Sequence, residues 1–570
     1  MRPLSYQQLR LREHQLFLVL SIVVGVLAGL SAVLFTLAID GTARLLFGIE
    51  PSGLRLFAVP AAVSLLTGIL LLKVFPDVRG SGVPQTKAAF QLSSGIISPR
   101  VPIGKFLTAT LCIGSGHSMG REGPSVQIGA GIASGIGQWL RLAPARIREL
   151  VPVGAAGALS AAFNTPVAAV VFALEEIISD LNAPLLGSTV VASVASVVVA
   201  RSILGNEPLF RVPAYHLVHP AELIGYAVLG LVGGLVSIAF CKGLLLLRRA
   251  FRHLPPRTQI VQPAIGGLVI GAILLAVPEV RGVGYEHVDQ ALNGGLLLQT
   301  MVVLCLVKLV ATIVSYSSGN AGGIFAPSLF IGAMAGGAVG VVINQAALFP
   351  AGDPGAYALV GMGTLFAGII RAPMTSVFMI FEITQDYQII VPLMVANLLS
   401  FAISRRYQPV PVYHALLQQD GVHLPPRALA IEPSAWTARD LMTGDMPFVA
   451  RGSTARAGLE LARASGHPAC LVGTPKDLAG TVTVEHLLTA VASGQGDQPI
   501  DPLVDGTLVH AHPDHPVDVV LERFSRTAGL LPIVSRDDAR QVEGVIVLRD
   551  IRRLVANHRA EAGGAPMSNS

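Results

Sequence analysis

The stretch GREGPSVQIGA, Gly120 to Ala130, sets an arginine and a glutamate between glycines at the head of an apolar segment. Its second part, PSVQIGA from Pro124 to Ala130, returns as PSLFIGA from Pro327 to Ala333. Working outward, PDVRGSG at Pro76 to Gly82 returns as PEVRGVG at Pro278 to Gly284, and Pro166 and Glu175 are matched by Pro373 and Glu382. The offsets are 202, 203 and 207 residues, in order along the chain, which marks an internal duplication.

Charge shows how the two copies are set. The first begins basic, with Arg2, Arg10 and Arg12, whereas the start of the second, around 204–220, is nearly uncharged. A basic loop with Arg248, Arg249, Arg252 and Arg257 follows the long apolar segment of the second copy, and the matching loop of the first has only Arg55. Positive loops face the cytoplasm, so equivalent loops face opposite sides, as in inverted-repeat transporters.

Composition agrees with a membrane setting. Of 570 residues, 52% are hydrophobic and only 13% charged, where soluble domains carry about a quarter charged residues. The balance changes once, near Pro409, after which Asp, Glu, Arg and His become common. The formal net charge of +5 fits a cytoplasmic bias and gives no nucleic-acid footprint. Cys112, Cys241, Cys305 and Cys470 lie too far apart in sequence for a metal or redox motif. The apolar run from Leu16 to Ile39 is too long for a signal-peptide core and reads as a first membrane helix starting in the cytoplasm.

Several apolar segments are short. Those at 80–90, 122–140 and 324–344 open at or beside Gly or Pro. Interrupted helices leave backbone N–H groups unpaired inside the membrane, which is tolerated only around a cavity or an ion. Helix N-termini carry partial positive charge, so the ion is an anion.

Three glycine-rich turns, GSGVP (Gly80 to Pro84), GREGP (Gly120 to Pro124) and GIFAP (Gly323 to Pro327), precede a tyrosine in PVYHALL (Pro411 to Leu417). Together they resemble the CLC family of chloride channels and chloride/proton exchangers. The resemblance implies roles. Ser81 and Tyr413 would supply hydroxyls to a bound chloride, and Ile324 and Phe325 backbone N–H groups. Glu122 would be the outer gating glutamate, and Glu176 the inner proton glutamate of the exchangers. Hydroxyl and amide dipoles hold an anion without a full charge, so that it can leave again.

Read without the family, Ser81 is equally a helix N-cap, Tyr413 an interfacial anchor, and Glu175 and Glu176 a solvated helix end. Glu122 is harder to read blandly, because a charge deep in a membrane segment costs about 2.5–3.5 kcal/mol. Glu175 has Glu382 as its repeat partner and reads as scaffold; Glu176 faces Ile383 in the repeat and is the half-specific carboxylate. The chain departs from the family pattern in two places. Gln85 stands where a glutamate is frequent, and His117 and Ser118 lie in a stretch that is usually apolar.

The tail repeats as well. STARAGLELARASG at Ser453 to Gly466 matches HPVDVVLERFSRTAG at His515 to Gly529, and GTVTVEHLL from Gly480 matches GVIVLRDIRR from Gly544. Each unit reads helix, strand, glycine, strand, helix, and resembles a CBS domain. That family's adenine-nucleotide pattern pairs a Thr or Ser with an Asp three residues on. Here Thr483 is followed by His486, and Asp550 is preceded by Val547, so each unit has half of the pair. These halves argue against a bound nucleotide and for a dimerising module.

The expected fold is an all-α polytopic membrane protein with inverted-topology repeats and a cytoplasmic α/β tail. The expected segments are a cytoplasmic stretch 1–14, a transport domain 15–419 with halves 15–205 and 218–419, a linker 420–435, CBS units 436–495 and 499–560, and a terminal stretch 561–570. The expected function is chloride/proton antiport, against a passive gated chloride channel and, from another class, a membrane-tethered CBS sensor. No enzyme, cofactor or metal site is expected. Expected partners are chloride, protons, the lipid bilayer and a second copy of the chain. The expected location is a bacterial cell membrane with both termini cytoplasmic.

Overall fold

A computed structural model describes residues 6–48, 51–180, 185–206, 209–210, 212, 219–347, 350, 352–422, 424, 436–506, 508–524 and 526–550. The chain forms two compact units, Met1–Leu424 and Pro425–Ser570. Residues 1–5 of the expected N-terminal segment, nearly all of the expected linker beyond 422, and everything after 550 lie outside the described residues.

The first unit is helical. Its first half runs α1 (Tyr6–Phe47), α2 (Gly53–Lys73), α3 (Val83–Leu92), α4 (Arg100–Gly114), α5 (Glu122–Trp139), α6 (Pro144–Phe163), α7 (Pro166–Phe172) with a π-helical turn at Ala173–Ile178, and α8 (Leu186–Leu204). The second half repeats that order as α9 (Glu222–His253), α10 (Gln262–Ala276), α11 (Tyr285–Leu292), α12 (Leu298–Ser317), α13 (Phe325–Ala346), α14 (Pro354–Ile370), α15 (Pro373–Thr384) and α16 (Ile390–Tyr407). A short α17 (Val412–Gln419) follows. Among the described residues, seven segments are long and apolar enough to cross a bilayer. The first helix extends beyond the expected Leu16 to Ile39 at both ends.

Glycine sets the closest packing. Gly129 on α5 meets Gly154 on α6, and Gly332 on α13 meets Gly361 on α14; a Cβ on any of the four would collide with the facing carbonyl. The same small-residue contact thus recurs in both halves. Glutamates then tie the halves to each other. Glu175 accepts from Thr375 N (2.8 Å) and Met374 N (3.2 Å) at the head of α15. Glu382, at the far end of α15, accepts from Val167 N (2.9 Å) and Ala168 N (2.7 Å) at the head of α7. Each half caps the other's orphan N–H groups. A reciprocal exchange of this kind is what a two-fold axis between the halves produces.

The second unit is α/β. It contains α18 (Ala438–Leu441), β1 (Phe448–Val449), α19 (Ala455–Ser465), β2 (Ala469–Thr474), β3 (Asp477–Thr483), α20 (Val484–Ala492), α21 (Val517–Phe524), β4 (Leu530–Val534) and β5 (Val542–Val547). β1 runs parallel to β2, while β2 with β3 and β4 with β5 form antiparallel hairpins. Val472 faces Gly480 and Ile533 faces Gly544, with a bulge just beyond each, so Val472 corresponds to Ile533 at an offset of 61, against 62 to 64 for the matched stretches on either side. The hairpin connections differ in length, which is why identity alone misses the register.

The chain also crosses between the two tail units. Ala438 N donates to His515 O (2.8 Å), Thr443 exchanges two bonds with Val545 (2.9 and 3.0 Å), and Ala438 and Leu441 are buried in the second core. In the other direction, Ile500 is buried in the first core, and Asp505 N donates to Thr481 O (2.9 Å). The boundaries expected at 436–495 and 499–560 therefore differ from the packing: the opening of each expected unit completes the other.

Candidate functional site

Three interrupted helices, α3, α5 and α13, bring their N-termini together. Gly120 and Gly323 exchange N–H···O bonds of 2.8 Å in both directions, and Gly322 N donates to Gly80 O at 3.2 Å. The glycine turns of both halves thus clasp one another. Gly80 and Gly82 flank Ser81 at φ of +88° and +105°, a conformation that side chains strain against. A Cβ on Gly123 would fall 2.6 Å from the Ser81 hydroxyl. Glycine is needed there so that the head of α5 can approach Ser81.

Buried lysines hold these turns from behind. Lys105 donates to Val78 O (2.9 Å) and Gly80 O (2.5 Å), and Lys308 donates to Val280 O (3.0 Å) and Gly282 O (2.7 Å). They occupy equivalent places in the two halves and tie down the carbonyls of the turns, Gly80 O taking the lysine as a second donor beside Gly322 N.

Ser81 and Tyr413 are both fully buried and adjacent, and neither hydroxyl has a partner in full hydrogen-bonding geometry among the described residues. The Tyr413 hydroxyl has Ser81, Glu176, Tyr316 and Glu122 as its polar neighbours. Buried polar groups are nearly always paired, so two adjacent orphan hydroxyls point to a ligand between them. The backbone N–H groups of Ile324 and Phe325 donate to no carbonyl among the described residues. The Phe325 ring is packed against Phe163, Phe172 and Phe366, with centroids 4.9, 5.7 and 4.4 Å away. That packing fixes the backbone and leaves its N–H as the available donor. Hydroxyls and helix N-terminal N–H groups are neutral donors of the kind that can hold an anion.

Carboxylates lie near these donors. Glu122 is fully buried at the head of α5, where Oε1 accepts from the Tyr285 hydroxyl at 2.5 Å. The Ala326 N–H lies beside the same carboxylate, while Oε2 has no partner in full hydrogen-bonding geometry. Arg121 does not close on Glu122 as a simple pair; its guanidinium stands 5.7 Å over the Tyr285 ring. Glu176 lies in the π-helical turn and is only 5% exposed. It accepts from Lys87 Nζ at 3.0 Å. The solvated helix end left open by the sequence does not occur there.

The departures from the family pattern are absorbed locally. Gln85 accepts from Gly82 N (2.9 Å) and donates to Arg79 O (3.0 Å). An amide offers both halves of that bridge, a carboxylate only one. His117 is fully buried in the turn after α4 and bonded on both ring nitrogens, to Ser64 (2.6 Å) and Ser315 (3.2 Å). Ser118 bonds Thr312 at 2.9 Å. Sequence reasoning missed Lys87 and Tyr285. An ionisable residue in a membrane helix was the available signal for the first. For the second it was a tyrosine at the repeat position of Val83.

In the tail, Thr483 Oγ1 accepts from His486 N (3.1 Å) and caps α20. Asp550 Oδ2 accepts from Val547 N (2.9 Å). Each half-pair serves its own backbone.

Fold and site together define an inverted-repeat membrane transporter whose interrupted helices converge on a buried polar site. The profile of the voltage gated chloride channel family matches residues 63–405, and the CBS domain profile matches residues 503–557, so the chain belongs to the voltage gated chloride channel family and carries a CBS-type tail. It is 31% identical over 419 residues to the H(+)/Cl(-) exchange transporter ClcA of Vibrio cholerae, covering 70% of this chain and 89% of that protein. It is 33% identical over 421 residues to the chloride channel protein CLC-e of Arabidopsis thaliana, covering 67% of this chain and 59% of that one. Among solved structures, a slow cyanobacterial Cl-/H+ antiporter superposes with a TM-score of 0.64 at 28% identity, covering 71% of this chain and 97% of that one.

Proposed function

We propose that this protein exchanges chloride for protons across a bacterial cell membrane. Ser81, Tyr413 and the N–H groups of Ile324 and Phe325 would hold the anion. Glu122 would act as the outer gate and proton carrier, and Glu176 as the inner proton acceptor. One observation carries the reading: the buried carboxylate of Glu122 heads α5, the helix whose first turn packs on the Ser81 hydroxyl, and has the Tyr413 hydroxyl as a neighbour. A titratable anion beside an anion cradle competes with the transported ion when ionised and yields when protonated. The exchange transporters named among the relatives support the same reaction.

The basic residues at the N-terminus and after α9 support cytoplasmic termini. A homodimer follows from the family resemblance.

The test is reconstitution into vesicles with anion and proton movements recorded together. An imposed chloride gradient drives protons uphill in the wild type. Glu122→Gln abolishes proton movement and leaves anion flux largely independent of pH. Chloride dissipation by the wild type with no proton movement over a broad pH range would establish a passive channel instead.

A further inference from the structure

We infer that Tyr285 is the latch of the Glu122 gate, a positioning residue supplied by the second half of the chain to the glutamate of the first; the inference rests on the gating reading of Glu122. In the duplicated turns RGSGVP and RGVGYE, Val283 replaces Ser81 and Tyr285 replaces Val83. The first copy puts a hydroxyl in the anion cradle. The second puts its hydroxyl two residues later, at the head of α11, where it donates to Glu122 Oε1 at 2.5 Å.

The ring is held for that task. Phe210 meets it edge-on at 5.2 Å, and the Arg121 guanidinium lies 5.7 Å from its centroid. Lys308, tying Val280 O and Gly282 O, fixes the turn that leads into it. The titratable and charged groups facing the Glu122 carboxylate are Arg121 at the head of its own helix, Tyr285 from α11 and Tyr413 from α17. Of these, Tyr285 is the one in hydrogen-bonding geometry with it.

A hydroxyl donating to an ionised carboxylate binds it about twice as strongly as it binds a neutral one. The bond therefore holds Glu122 seated while it is charged and slackens when it takes a proton. Without the hydroxyl the carboxylate leaves its seat, and takes up its proton, at higher pH. Tyr285→Phe removes the donor and keeps the packed ring.

The experiment compares wild type, Tyr285→Phe, Glu122→Gln and the double variant in vesicles, with anion and proton flux measured across pH and melting temperature measured in detergent. Tyr285→Phe is expected to raise anion flux at alkaline pH about tenfold and to move the half-maximal pH of flux up by about one unit, as loss of a hydrogen bond to a charged group would. Its melting temperature stays near that of the wild type, and in the Glu122→Gln background the same change has no effect. The inference is overturned if Tyr285→Phe leaves the pH profile in place, or if it alters flux equally with and without Glu122. If Glu122→Gln itself still moves protons and responds to pH, the gating reading fails first and takes the latch with it.

Discussion

Glu176 cannot be tested by itself, because it is paired. Its carboxylate and the Lys87 ammonium are 3.0 Å apart, with side chains 7% and 4% exposed. Glu176→Gln is expected to stop proton transport while chloride still flows. It also strands a buried ammonium, and breaking a buried pair costs about 3–5 kcal/mol. A loss of protein could then pass for a loss of coupling. Replacing both partners with apolar residues, Lys87→Met with Glu176→Leu, should restore melting temperature, since apolar isosteres of a buried pair are often neutral or better. Proton transport should remain absent in that double variant, and if it returns, Glu176 is not the inner acceptor. At this scale the sequence was half legible. Residue types and glycine spacing marked Ser81, Glu122, Glu176 and Tyr413 as candidates. Their partners came from distant segments, Lys87 lying 89 positions from Glu176 and Tyr285 lying 163 from Glu122. No local periodicity carries such a pairing.

Helices α7 and α15 are each too short to span a bilayer unaided, and each depends on the other half for its first turn. Glu175 and Glu382 supply the caps, and each carboxylate satisfies two backbone N–H groups. An amide in place of either carboxylate retains one acceptor and turns an NH2 toward the second donor. Glu175→Gln and Glu382→Gln are therefore each expected to destabilise the protein by about 1–3 kcal/mol, read as lowered melting temperatures in detergent. Glu175 also accepts from the Thr375 hydroxyl at 2.8 Å, so its replacement is expected to cost at least as much as that of Glu382. Both proteins should keep a proton-to-chloride ratio close to wild type, because both carboxylates are spent on capping; a collapse of coupling in Glu175→Gln with unchanged melting would move the proton role from Glu176 to Glu175. The repeat offsets carried the order of these elements, since each matched motif opens an equivalent helix. The exchanged tail segments around Ala438 and Ile500 were not legible, because stretches of a few residues have no amphipathic period to assign them to a core.

Across the whole molecule, duplication is used twice with different results. In the membrane unit the two copies have diverged so that one supplies Ser81 and Glu122 while the other supplies Phe325 and Tyr285 to the same place. In the tail, divergence has split the nucleotide pattern, leaving Thr483 without its Asp and Asp550 without its Thr. The Thr483 hydroxyl is engaged as the cap of α20, and the Asp550 carboxylate turns back onto Val547 N. Each contact uses one acceptor site and leaves the Thr483 O–H and the rest of the Asp550 carboxylate able to bond, but neither unit offers a ribose or phosphate the second group of the pair. Full-length protein is therefore expected to bind adenine nucleotides weakly or not at all. A ligand present at a hundred times its dissociation constant stabilises the folded state by about 2.7 kcal/mol. Millimolar ATP should leave both the melting of the tail and the anion flux unchanged, which excludes binding at the micromolar level. His486→Asp places a carboxylate three residues after Thr483 and supplies the first unit's missing partner. If the split pattern is what prevents binding, that variant should gain an ATP-dependent rise in melting temperature; a comparable rise in the wild type would show that the tail recognises nucleotide through other groups.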